Sequence, residues 1–301
     1  MKDPFFIFYD SRSGSTFLAD LLIKYGPIAI PPETNFIPIL LDSCAGKVVS
    51  DGNLTKWLEL TYSDPKFSDW GIDEAEIIEA IRDDLPIDLR GFILSLCEIY
   101  KKKFFPESQL FGIKKNYISH YRLLNEIFPE SRFITIIRDG RAVFNSKKKS
   151  IYSVTGRPFE TSPIRAARAW VEEMKWTAKI MNYIPSLSFK IRYEDLVEEP
   201  EGCTRKTLSF LGLEDSEFCS SARGYYVPGR YGKDLHKNVG DKPLTSRSTA
   251  WSETLSNEEI YMFERIAADS LLTEGYDLVC PSDKLLMKLK FYFKSISHIL
   301  P

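Results

Sequence analysis

A short apolar strand that runs into a small-residue turn and then directly into a helix constrains this chain more than any other feature. Phe5–Tyr9 (FFIFY) is apolar at every position, which marks a strand covered on both faces. Ser11-Arg12-Ser13-Gly14-Ser15-Thr16 follows as a turn, and Phe17–Tyr25 carries the apolar spacing of a helix. A glycine-containing turn at a helix N-terminus aims several backbone N–H groups at one point, where the helix dipole adds positive potential. Such a turn suits a phosphate, although on these residues alone an ordinary strand-to-helix turn with a capping serine fits equally well. A nucleoside-triphosphatase loop would read G-x-x-x-x-G-K-[ST]. Here Ser15 follows Gly14 and no glycine lies five residues before it, so the lysine that reaches the outer phosphates is missing.

Three later runs, Leu110–Ile113, Phe133–Ile137 and Ser188–Arg192, read as further strands separated by helical stretches. That alternation predicts an α/β fold of three layers, α/β/α, around a central, mainly parallel sheet. One domain is expected over residues 1–301, with a helical insert at about 42–108 that acts as a lid or shapes an acceptor site. The insert should hold helices at 54–61, 73–85 and 88–104, with Asp73 as an N-cap. Two more helices are expected at 163–182, with Pro163 in the first turn, and at 200–211, closed by Gly212. Residues 223–250 lack periodicity and are rich in Gly, Arg, Lys, Ser and Thr, as in a long functional loop.

Composition narrows the ligand. The chain has 40 Lys and Arg against 42 Asp and Glu, a net charge of -2. Nucleic acid is therefore not an expected partner, and an anionic ligand must be met by a local cluster of cations. Five scattered cysteines with no C-x-x-C fit free thiols in a reducing compartment, so a cytoplasmic location is expected. Three histidines, none paired at helical spacing, make a metal site unexpected. No apolar run reaches the ~20 residues of a spanning helix. The apolar and basic stretch 285–300 suits packing on the domain better than contact with a membrane surface.

A second anion signal lies at Phe133-Ile134-Thr135-Ile136-Ile137-Arg138-Asp139-Gly140-Arg141, followed by a helix carrying Ser146, eight residues after Arg138. Arg138 sits where a strand meets its loop, the edge of a parallel sheet at which ligands bind. Alone, an ion pair with Asp139 or a neighbour would explain it.

Taken together, the two segments resemble the cofactor motifs of sulfotransferases that use 3′-phosphoadenosine 5′-phosphosulfate (PAPS). Three further stretches resemble the bacterial and tyrosylprotein branch of that family: Phe111-Gly112-Ile113-Lys114, Arg192-Tyr193-Glu194-Asp195-Leu196, and His236-Lys237-Asn238-Val239 running on to Trp251. The resemblance implies a P-loop-like sulfotransferase fold. It also implies that Arg12, Ser13, Gly14, Ser15 and Thr16 bind the 5′-phosphosulfate, and Arg138 and Ser146 the 3′-phosphate. Glu33, in Pro31-Pro32-Glu33-Thr34-Asn35, matches the catalytic base of this branch, while Asn116 stands where cytosolic small-molecule enzymes place a histidine. By the same resemblance Lys114 acts at the departing bridge oxygen, and Ser248 matches a serine near the transferred group. His120, six residues after Lys114, is the next candidate base. The implied reaction moves a sulfuryl group from PAPS to a hydroxyl of a carbohydrate, lipid, small molecule or tyrosine. A nucleotide-dependent kinase and a non-catalytic nucleotide-binding module are the other readings. Lys101–Lys103 and Lys147–Lys149 are expected on solvated faces, and Tyr193–Leu196 in a structural role.

Overall fold

The computed structural model describes residues 2–152, 155–214, 218, 224, 226–229 and 246–280. Most of the 223–250 loop, His236–Val239 and the 285–300 stretch lie outside the described residues. Five strands form one parallel sheet: β1 (Phe5–Tyr9), β2 (Ile28–Ala29), β3 (Leu110–Lys114), β4 (Phe133–Ile137) and β5 (Ser188–Arg192), in the order β2-β3-β1-β4-β5. The central position of β1 explains why all five of its residues are apolar. Phe6 and Phe8 pack into one hydrophobic cluster, while Phe5, Ile7 and Tyr9 pack into another on the opposite face.

Helix α1 (Ser15–Tyr25) covers the second face together with 200–210. It starts two residues earlier than its apolar spacing suggests, because Gly14 caps it in a left-handed conformation, φ +90°. The first face carries the insert. There α2 (Phe36–Cys44), α3 (Leu54–Tyr62), α4 (Glu74–Ile81) and α5 (Leu89–Phe104) share one apolar cluster with Phe6, Phe8, Phe111 and Ile113 of the sheet. Trp70 sits edge-on to Phe36 with ring centroids 5.2 Å apart, and Trp57 to Phe92 at 5.3 Å. Asp73 caps α4 in a full capping box with Glu76. This helix ends at Ile81, short of the expected residue 85, and passes into a 3-10 turn before Pro86.

Further on come α6 (Tyr121–Ile127), α7 (Gly140–Lys149), α8 (Pro163–Tyr183, capped by Ser162), α9 (Tyr193–Glu198) and α10 (Pro200–Phe210). Three helices follow the loop: α11 (Ser246–Thr249), α12 (Trp251–Thr254) and α13 (Asn257–Thr273). The last residues of the expected 223–250 loop are thus helical, and α11 packs against α7. Helices α7, α8 and α13 close a third cluster around Phe144, Trp170 and Phe263.

Among the described residues, no helix is long and apolar enough to cross a membrane. Four of the five cysteines are described, and none of these four forms a disulfide.

Candidate active site

The C-terminal ends of β1, β3 and β4 bring the two anion motifs together. Arg12, itself in a left-handed conformation at φ +73°, donates from Nε to Ser146 Oγ at 3.0 Å, across 134 residues of sequence. Arg138 donates from Nη1 to the Arg12 carbonyl at 3.0 Å. Asp139 caps α7 and pairs with Arg141 at 2.8 Å, which also holds Glu264. Arg138 lies 4.2 Å from the centroid of the Tyr193 ring.

Tyr193, expected in a structural role, packs against more than this arginine. Its ring also lies against Gly14, where a Cβ would overlap it, so the turn and the Arg138 loop close on one aromatic wall. The missing Cβ lets Tyr193 pack on the turn, and the left-handed cap leads into a helix N-terminus whose backbone N–H groups suit an anion.

Lys114 supplies what the turn lacks. It ends β3, one residue beyond the expected strand, and its side chain is fully buried. Its ammonium lies 3.5 Å from Thr16 Oγ1, in the first turn of α1. Tyr9 and Tyr226 flank it, each with a ring centroid at 5.0 Å. The same ammonium donates to Glu33 Oε1, while Lys115 Nζ lies 3.8 Å from Glu33 Oε2.

Glu33 is held from several sides. Trp70 Nε1 donates to the Pro32 carbonyl at 3.0 Å, Tyr117 donates to the Thr34 carbonyl, and the buried Asp64 accepts from the Asn35 backbone. The insert and the segment after β3 therefore fix the base candidate. Burial pushes the Glu33 carboxyl up, but Lys114, Lys115 and a hydrogen bond from Tyr9 outweigh this and hold its pKa at about 2.

Beside this pair, Asn116 donates to Glu173 Oε1 of α8 at 2.8 Å. Burial and the nearby Asp10 raise the Glu173 pKa to about 7, against the opposing effects of Asn116 and Lys147. Lys147 is not on a solvated face as expected. It is buried and pairs with Asp10 at 2.6 Å, bracing α7 against the end of β1. His120 turns to Asp42, 3.5 Å away. Ser248 lies on α11, and its hydroxyl is buried with no hydrogen-bond partner among the described residues.

Sequence reading missed Tyr9, Tyr226 and Glu173. Tyr9 was visible as the last residue of the first strand, at the ligand-binding edge of a parallel sheet. The other two arrive from distant segments and left no local signal.

Residues 4–217 match a family model described as the sulfotransferase family. The chain belongs to the sulfotransferase family. Among curated proteins, it is 32% identical over 114 residues to an omega-hydroxy-beta-dihydromenaquinone-9 sulfotransferase of Mycobacterium tuberculosis, covering 35% of this chain and 29% of that one. A protein-tyrosine sulfotransferase 1 of Danio rerio is 26% identical over 208 residues, covering 67% of this chain and 51% of its own. The chain thus spans about a third to a half of the length of these curated relatives. In fold, the chain resembles the sulfotransferase domain of the Synechococcus PCC 7002 olefin synthase, with TM-score 0.59, 17% identity, and coverage of 93% of this chain and 98% of that one. The corresponding domain from the curacin biosynthetic pathway superposes with TM-score 0.56 at 20% identity, over 93% and 99% of the two chains.

Proposed function

We propose that this chain transfers a sulfuryl group from PAPS to the hydroxyl of an acceptor. The observation that carries the reading is the Arg12–Ser146–Arg138 contact, which joins two anion motifs from distant parts of the chain into one surface. The residues present suit the donor: the N-terminus of α1 for one phosphate, and Arg138 with Ser146 for another. Ser248, whose buried hydroxyl faces no partner among the described residues, is a further candidate contact close to α7. When bound, PAPS supplies an activated sulfuryl group on a phosphate leaving group.

The chain's own groups divide the remaining work. Ser13, Ser15 and Thr16 offer hydroxyls, and the α1 backbone offers N–H groups, to the 5′ side. Arg12 and Lys114 stand ready to neutralise charge that builds on sulfuryl and bridge oxygens, an effect that needs preorganised cations in a dry site. Glu33 takes the acceptor's proton as general base. The insert that holds Glu33 through Trp70 and Asp64 acts as the acceptor-shaping part of a single domain, together with the 223–250 loop. The names of the relatives specify a menaquinone and a protein tyrosine, which share only a hydroxyl. A hydroxyl-bearing acceptor is therefore as far as the class extends. A reducing, cytoplasmic setting suits the scattered cysteines with no C-x-x-C.

Thermal melting with nucleotides tests this directly. 3′-phosphoadenosine 5′-phosphate (PAP) should raise the melting temperature well above the effect of the 5′-monophosphate, since only PAP fills both anion sites. Equal shifts would remove the 3′ site. A preference for ATP would mark a kinase, and PAP binding without turnover of any acceptor a binding module.

A further inference from the structure

The base candidate and the cation beside the anion turn are bonded to each other. Lys114 Nζ donates to Glu33 Oε1, and this ammonium is the nearer of the two that hold the carboxylate down. A carboxylate paired so closely is a weak proton acceptor, because Brønsted behaviour favours a base whose pKa lies nearer the working pH. On its other side Lys114 lies 3.5 Å from Thr16 Oγ1, in the turn of helix that would meet an anion. The side chain is fully buried between the Tyr9 and Tyr226 rings, so its ammonium has few alternatives to these partners. Lys115, only 22% exposed and 3.8 Å from the second oxygen, stays with Glu33 if Lys114 turns away.

We propose that Lys114 is exchanged between Glu33 and the bound donor, so that filling the nucleotide site releases the carboxylate for proton transfer. This rests on the sulfuryl-transfer reading given above. The device orders the reaction: without the donor, the base is occupied by its own lysine. With the donor bound, the anion draws the ammonium toward the α1 turn, and Glu33, held now by Lys115 and Tyr9, regains basicity. Nothing is oxidised or reduced, and no proton is created; one ion pair is traded for another.

The exchange has a consequence that needs no acceptor. Donor binding must break a charge-assisted contact, so weakening that contact should tighten PAP binding by about tenfold. Calorimetric titration of PAP into wild type, Glu33→Gln, Lys114→Gln and the double variant measures this. Glu33→Gln should bind PAP about tenfold more tightly than wild type, and the gain should vanish when Lys114→Gln is already present. Glu33→Asp retains the charge but shortens the reach to Lys114, and should also bind more tightly. A gain of equal size with and without Lys114, together with no gain in Glu33→Asp, would mean general charge repulsion and would overturn the exchange. Unchanged PAP affinity in both Glu33 variants would overturn it while leaving the donor reading intact. Wild type that does not bind PAP removes both.

Discussion

The two halves of this site are built by opposite means. The anion half is local and backbone-rich: one turn, one helix N-terminus and one arginine at a strand end, each readable within a few residues. The proton half is assembled from side chains far apart in the chain, with Glu33 and Lys114 separated by 81 residues and held by Trp70, Asp64 and Tyr117. Tyr193 and Lys114 are where the halves meet. The lysine absent from the turn's own sequence is delivered from β3, the neighbouring strand, to the same first turn of α1. A nucleoside triphosphatase carries that cation within the loop. Here it arrives from outside, and can therefore be tied to the catalytic carboxylate as well.

If the halves are separable, single changes should damage one and spare the other. The largest effect belongs to Glu33→Gln, which keeps the shape but cannot take a proton. General-base catalysis contributes ~10²–10⁴-fold, so kcat should fall by that order while PAP affinity does not weaken. A variant that retained more than about a tenth of the wild-type rate would take the base assignment away from Glu33. Arg138→Ala is the converse. Loss of a charge-assisted phosphate contact is typically worth ~1.5–3 kcal/mol, so PAP should bind about ten- to a hundredfold more weakly while the acceptor's KM holds steady. Normal PAP binding with early melting would instead make Arg138 a structural partner of Tyr193 and the Arg12 carbonyl.

The same contrast explains what was legible in advance. Phe5–Tyr9 and Phe133–Ile137 are strands with the expected bounds, because continuous burial in a parallel sheet writes itself into apolar runs; Ser188–Arg192 also keeps its bounds, as a half-buried edge strand. The helix at 54–62 and the Asp73 cap follow from local periodicity and capping chemistry. β2, only two residues long, is too short to show a pattern. Lys147 reads as one of three surface lysines, and only the approach of Asp10 at the end of β1 buries it. Tyr193 likewise gains its place from the missing Cβ of Gly14, a contact between segments that no window of sequence contains. Glu33 and Lys114 were singled out only through resemblance to a family; their residues alone fit a loop acid and a surface lysine.

Trp70→Phe asks how far the proton half depends on the insert. The substitution keeps the ring against Phe36 but leaves the Pro32 carbonyl without its donor, a loss of about 1–3 kcal/mol in stability. If the insert positions Glu33, kcat should drop several-fold with PAP affinity unchanged. A drop in stability without any change in kcat would confine Trp70 to packing.

Glu173→Gln should give the smallest effect, and it lies where both halves touch the same carboxyl. Asn116 approaches it from the end of β3, Asp10 from β1, Lys147 from α7, and Glu172 from its own helix. Folding raises this carboxyl from its usual 4.5 to about 7, so the folded chain binds a proton that the unfolded chain has released between those values. Wild-type stability should therefore decline as pH rises from about 4.5 to about 7, with no contribution below that window because both states are then protonated. Glutamine never ionises, yet its carbonyl still accepts from Asn116. Melting curves at pH 8 should place the variant above wild type, and the gap should close at pH 4. A gap that is the same at both pH values would mean that the carboxyl is not held protonated by Asp10 and burial. The anion and proton halves would then share no titrating group at their boundary.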